Sequence, residues 1–483
     1  MTNNTSQIAP ETYQSYRGLP SLAGLGSFPA AMNPGLSVEE SVKRLKRHHY
    51  ALRRIHTILL AKLTAEPIYE LKMSFSYHAF LSAEAVSLLR ARVGEMREPP
   101  LGLDKIPHPA MELFFDEICC AEKIEEVLLG IYEVALPDLI EGVKRHMQET
   151  HIVADQPTIR IARQILADAN EMLAWGEQAI RALVTVQVRE AAKPYLSLLS
   201  ITLACMGSID GSKPTREGAP ERYYSNKPFQ YDKIPKRDER FHDPFNQGVN
   251  PEVLLYDEEK PVDAKILMMF FKRIREIDVP EMMASILIET PDKPWEYYHD
   301  MTRQLWDEAR HAMLGEIGFV SLGIDWAKYT SPNVNWSHNL NTQLKPDERH
   351  AVLYYIEQGL MPKTGKRFEW EVSIMGKNPL ATTFQDFDWA DEVLHARVGR
   401  DWYVSAMPSS HDAIEKGDKC WARVMSNWEG LREKGLTQHR NWWPDLYAEY
   451  CKNTGTTPDP KTAQYDTSYD GIRPDLKEMS YSA

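Results

Sequence analysis

Two short stretches of this chain carry the same arrangement of chemistry. Asp307-Glu308-Ala309-Arg310-His311 and Asp391-Glu392-Val393-Leu394-His395 lie 84 residues apart, and in each a histidine follows a glutamate by three positions. Residues i and i+3 share a face only when the backbone is helical. A single copy would read as a solvated helix, with Asp307 paired to Arg310 on the surface. Two copies in amphipathic surroundings demand a helical fold that turns both Glu-x-x-His faces inward.

The rest of the chain agrees with helices. Apolar residues recur at three- and four-residue steps through 38–64, 67–97, 109–148 and 157–206, with Pro137 expected to bend the third segment. The pattern resumes over 262–290, 293–319, 346–361 and 379–405, followed by a further helix near 411–434. Between the two sets, 207–261 is rich in Pro, Gly and charge, and its aromatics imply that it packs on something. The expected division is an N-terminal extension at 1–36, a helical bundle at 37–206, a connector at 207–261, a second bundle at 262–406, and a C-terminal helix and tail at 407–483.

Charge and cysteine content narrow the classes. A net charge of −13 disfavours nucleic acid as a partner, and the basic run "KRLKRHHYALRR" (43–54) reads as a solvated helix surface. The opening residues lack a signal-peptide pattern, and no apolar run reaches the roughly 20 residues of a membrane span. Five cysteines without CxxC spacing suit reduced thiols, and adjacent Cys119 and Cys120 read as small buried residues. A cytoplasmic protein with no membrane association is expected.

A four-helix bundle can hold two metal ions with a pair of Glu-x-x-His helices and one glutamate from each remaining helix. Carboxylates bridge and balance hard cations, and imidazole suits iron. Glu308, His311, Glu392 and His395 supply the paired motifs. The third helix offers Glu357, and the first offers Glu281, with Glu276 as the alternative; Glu281 also fits a capping box with Asp278, alongside Pro280. Asp307 and Asp391 are placed to accept the outward N–H of a ligating imidazole. Asp388 reads either as a further oxygen ligand or as a helix-start residue. Tyr354, Tyr355, Phe387, Trp389 and Trp402 either line a substrate cavity or fill the core.

"DEARH" with "DEVLH" resembles the ferritin-like superfamily of dinuclear carboxylate proteins. "PEMMASILIET…LWDEARH" with "DWADEVLHARVGRDWY" is similar to an uncharacterised bacterial ferritin-like domain related to tRNA-modifying hydroxylases, over roughly residues 235–405. The resemblance implies an all-α chain of two tandem ferritin-like bundles, the second carrying the metal site. It implies ligation by Glu281, Glu308, His311, Glu357, Glu392 and His395, preferring Glu281 over Glu276. The first bundle aligns as a metal-less relative, with Glu84 and Ser87, Glu133, and Glu171 and Ala174 at the corresponding places, and reads as a scaffold.

The expected cofactors are two iron ions, or manganese and iron, with dioxygen as co-substrate. The expected function is a non-haem dinuclear oxidase or oxygenase acting on a small molecule, supplied by an electron-donor protein and compatible with a homodimer. A ferroxidase or iron-handling protein and a non-catalytic ferritin-like scaffold are the other classes.

Overall fold

The computed structural model describes residues 13–97, 102–218, 220–246, 249–332, 334–362, 365–425 and 428–467. The ends of the expected N-terminal extension and C-terminal tail, 1–12 and 468–483, lie outside these. Among the described residues the chain is helical with no strand. Helices of nine residues or more are α1 (Val38–Leu63), α2 (Tyr69–Glu95), α3 (Pro109–Cys120), α4 (Leu136–Glu149), α5 (Gln156–Leu183), α6 (Lys193–Met206), α7 (Val262–Arg275), α8 (Asp278–Glu289), α9 (Trp295–Ser321), α10 (Asn335–Gln343), α11 (Pro346–Gly359), α12 (Lys366–Met375), α13 (Pro379–Trp402), α14 (Ser410–Met425) and α15 (Trp443–Thr454). No helix among the described residues is long and apolar enough to cross a membrane.

The chain divides into two compact units. The first holds Met1–Ile58 and Leu81–Gln230; the second holds Leu59–Phe80, the tip of the α1–α2 hairpin, and Tyr231–Ala483. The expected cut after 206 therefore falls inside the first unit, because the connector docks there. The buried carboxylate of Glu117 accepts the backbone N–H groups of Tyr223 and Tyr224 and the Ser225 hydroxyl, which satisfies donors that a loop would otherwise leave to water.

In the first unit the third predicted helix is interrupted. Leu129–Ala135 is a π-helical segment, and α4 begins right after it with Pro137 in its first turn. Proline lacks the N–H that would continue the α ladder, and a first turn needs none there. The basic run is less solvated than its composition suggests. Arg44, His48 and His49 are buried, and Arg47 donates to the carbonyls of Met206, Ser208 and Ile209 at the end of α6. Of the proposed counterparts to ligands, Glu133 is exposed and pairs with Arg189, and the Ser87 hydroxyl donates to Ala83.

In the second unit, α7 packs on α9, α9 on α13, α13 on α11, and α11 on α8. One close approach depends on glycine. A Cβ at Gly315 of α9 would collide with the backbone of Phe270 and Ile274, so glycine lets α7 lie against α9. The tail belongs to this unit's core, where Trp442, Trp443 and Tyr447 pack with Phe271 and Leu267. α10, α12 and α15 were not expected from periodicity.

The first unit buries neutral histidines. Burial, reinforced by neighbouring charge, pushes His48 and His49 down to about 3 and His146 down to about 4. The unfolded chain takes up these protons near pH 6.5 and the folded one does not, so stability must fall as pH drops below 6.5. The slope is about 1.4 kcal/mol per pH unit for each such histidine. Thermal melts between pH 7 and 5, where exposed carboxylates keep their charge, should show a falling Tm; a flat profile would contradict this burial.

Candidate metal centre

The Glu-x-x-His helices, α9 and α13, face each other with both motifs buried: His311, His395 and Asp307 have no exposed surface, and Glu308 and Glu392 almost none. The imidazole rings lie 5.9 Å apart. Each ring turns Nε2 outward to an aspartate of the opposite helix. His311 Nε2 lies 3.1 Å from Asp391 and His395 Nε2 lies 3.4 Å from Asp307. Arg310 donates to both aspartates, and Arg303 adds two further bonds to Asp307.

The inward Nδ1 atoms meet carboxylates. His395 Nδ1 is 3.1 Å from Glu308 Oε1 and 3.5 Å from Glu392 Oε2. His311 Nδ1 is 3.6 Å from the other Glu308 oxygen and 3.4 Å from Glu276. Two sets of ligand atoms gather within 4.8 Å: Glu276, His311, Asp388 and Glu392, and Glu308, Glu357, Glu392 and His395. Glu392 belongs to both sets, and Glu308 reaches both imidazoles. Four buried atoms at this centre, Glu276 Oε2, His311 Nδ1, Glu392 Oε2 and His395 Nδ1, have no hydrogen-bond partner.

The structure does not bring Glu281 into this group; Glu276 stands in the place expected for it. The cause is Pro280. Its missing N–H cannot bond the carbonyl of Glu276, four residues back, and its ring crowds that carbonyl. The segment expected as one helix over 262–290 thus breaks at Glu276–Ile277, where the bonds contract to Glu276 N–Arg273 O and Ile277 N–Ile274 O. Glu276, caught at the break, faces His311. Glu281, on the far side of it, is buried against Lys72 at 2.7 Å and Arg237, and accepts the Ser337 hydroxyl at 2.8 Å.

Asp388 joins the first set but is already neutralised. It accepts Lys366 Nζ at 2.9 Å on both oxygens and also pairs with Arg273. Lys366 reaches Glu392 Oε1 at 2.8 Å as well. Glu357 accepts Gln304 Nε2 at 3.1 Å.

Protonation follows this crowding. Burial opposes charge on both imidazoles, but the Nε2 bonds to Asp391 and Asp307 and the carboxylates beside each Nδ1 outweigh it, holding His311 up to about 10 and His395 well above its usual range. Burial and the neighbouring Glu392 and Glu308 push Glu357 up, so it keeps a proton. Burial disfavours charge on Glu392 too, yet Lys366 and the neighbouring Glu357 and His395 hold it well below the carboxylate range. Protons thus supply positive charge that the carboxylates otherwise lack. The set fits a pair of divalent cations on charge, since four carboxylates balance two such ions, and on donor chemistry, with imidazole and carboxylate oxygen converging on partnerless atoms.

Beside the glutamates lies a cavity of about 420 Å³ in the second unit. Glu276, Glu308, Glu357 and Glu392 all form part of its wall. Of the aromatics singled out by sequence, Tyr355 alone lines it. Tyr354 packs with Ala351, Tyr403 and Ala413, Phe387 is 63% exposed, Trp389 lies against Trp370, and Trp402 donates to Asp300. The cavity's tryptophans are Trp336 on α10 and Trp421 on α14, from segments placed outside the ligand helices. Gly417 of α14 makes the second approach possible, because a Cβ there would sit 2.6 Å from the Ala351 carbonyl of α11.

Compared with known protein families, characterised proteins and solved structures, the chain matches none.

The Glu281 cluster gives a test separate from any metal. Glu281→Gln leaves Lys72 and Arg237 buried without their carboxylate, which should cost about 3–5 kcal/mol. Urea unfolding of the two proteins measures the difference; a loss below about 1 kcal/mol would contradict a buried ion-pair role.

Proposed function

We propose that the second unit is a ferritin-like bundle whose core holds two iron ions, or manganese and iron, and that the protein is a non-haem oxidase or oxygenase using dioxygen on a small molecule. The first unit is then the metal-less partner bundle of a tandem pair. The observation that carries this reading is the cavity: all four converging glutamates line one cleft of about 420 Å³, within the range of small-molecule sites. Its wall also carries Trp336, Leu353, Ile356, Trp421 and Val424, apolar surface that a path for iron does not need.

In this reading Glu276, His311 and Glu392 would hold one ion, and Glu308, Glu357, Glu392 and His395 the other. Such a pair, when bound, supplies the electrons and open coordination positions for reducing dioxygen. The chain's own residues orient the centre. Asp307 and Asp391 hold the imidazole tautomers with Nδ1 inward. Lys366 and Arg273 hold Asp388, and Lys366 keeps one oxygen of Glu392 in place. Phe270 and Phe384 pack in the apolar core that α7 and α13 share.

Metal analysis of protein from cells supplied with iron and manganese should find about two ions per chain. Glu308→Ala and His395→Ala should lose most of that metal while circular dichroism stays helical, and Glu281→Gln should retain it. Metal-free wild type would overturn both the oxygenase and the ferroxidase readings and favour a scaffold. Repeated oxidation of added ferrous iron without an organic substrate would favour the ferroxidase.

A further inference from the structure

The cavity wall is charged as well as apolar, and its charges are unevenly matched. Its cations each face a carboxylate: Lys272 lies 3.7 Å from Glu252 and pairs with Glu369, Arg273 lies 2.9 Å from Glu276, and Arg275 lies 3.3 Å from Glu252. Glu276, Glu308, Glu357 and Glu392 turn to the centre. That leaves Asp278, in the first turn of α8. Its side chain is 4% exposed and lines the cavity, and no hydrogen bond or ion pair reaches its carboxylate among the described residues.

Burial pushes the Asp278 carboxyl well above the usual carboxylate range, and a buried polar group without a hydrogen-bond partner is costly unless something arrives to satisfy it. An anionic ligand would meet the carboxylates of Glu252 and Glu276 on the same wall and would have to take Arg275 from Glu252. An ammonium group would give Asp278 the close counter-charge that Arg275 and Arg237, paired with Glu252 and Glu281, do not. Trp336, Trp421 and Tyr355 stand on the same wall, and their ring faces attract a cation or stack on an aromatic body. Leu353, Ile356 and Val424 supply apolar surface for an uncharged remainder.

We propose that this cavity binds a small organic amine, its ammonium group seated on Asp278 and its apolar or aromatic body against Trp336 and Trp421, leaving its other end toward the four glutamates. This substrate class rests on the oxygenase reading, since that reading alone makes the occupant a substrate; the binding site itself is independent of it.

Calorimetric titration of the full chain with 2-phenylethylammonium, 2-phenylethanol and 3-phenylpropionate tests the assignment, with metal content measured on the same samples. The amine should bind at least about tenfold tighter than the alcohol, as expected for a hydrogen bond to a buried charge, and the carboxylate weakest. Asp278→Asn should abolish the preference at unchanged metal content and helicity, and Asp278→Glu should keep it. Equal binding of the three probes, preference for the carboxylate, binding of none, or a preference that survives Asp278→Asn would overturn the proposal. Amine preference in a protein without metal would overturn the dinuclear reading and leave the cation site standing. About two metals per chain without amine preference would do the reverse.

Discussion

Arg310 holds Asp307 on its own helix and reaches across to Asp391 on the next, and both imidazoles hang from those two aspartates. Because the bonds cross, neither histidine can turn without disturbing the opposite helix. The arrangement fixes α9 and α13 in register and aims both Nδ1 atoms at one point between them. Everything else at the centre follows from what must surround that point: glutamates from α11 and the α7–α8 break, and the cations that balance Asp388.

How much of this was legible depended on whether local pattern or tertiary context decided it. Glu-x-x-His is local, so the inward faces of α9 and α13 could be read from spacing alone, and the outward aspartates from the logic of imidazole orientation. Glu357 followed from its apolar flanks. The choice between Glu276 and Glu281 turned on one proline. Pro280 was visible, but it reads equally well as a helix start or as a break four residues upstream. The structure has both: Asp278 opens α8, and the break carries Glu276 toward His311. Glu281 looked inward-facing and is buried, but its partners are Lys72 and Arg237, both far away in sequence.

Charge balance was harder still to read. Lys366 and Arg273 lie among carboxylates because the fold brings α7, α12 and α13 together, and nothing near either residue announces it. The same holds for the cavity. Trp421 is on a helix that seemed to belong to a tail, and the close contact at Gly417 is what brings that helix against α11. The basic run of α1 misled for a related reason: Arg47 is received by carbonyls at the end of α6, and His48 and His49 are buried as neutral rings.

In the proposed dinuclear centre Glu276 and His311 would hold one ion and Glu357 and His395 the other, with Glu308 and Glu392 supplying the remaining carboxylates. Anomalous diffraction from crystals of the iron-loaded protein, recorded across the iron edge, tests it most directly. The account predicts two peaks, one beside His311 and Glu276 and the other beside His395 and Glu357, with Glu281 still on Lys72 and Arg237. A single peak, none, or a centre with Glu281 in place of Glu276 would contradict it.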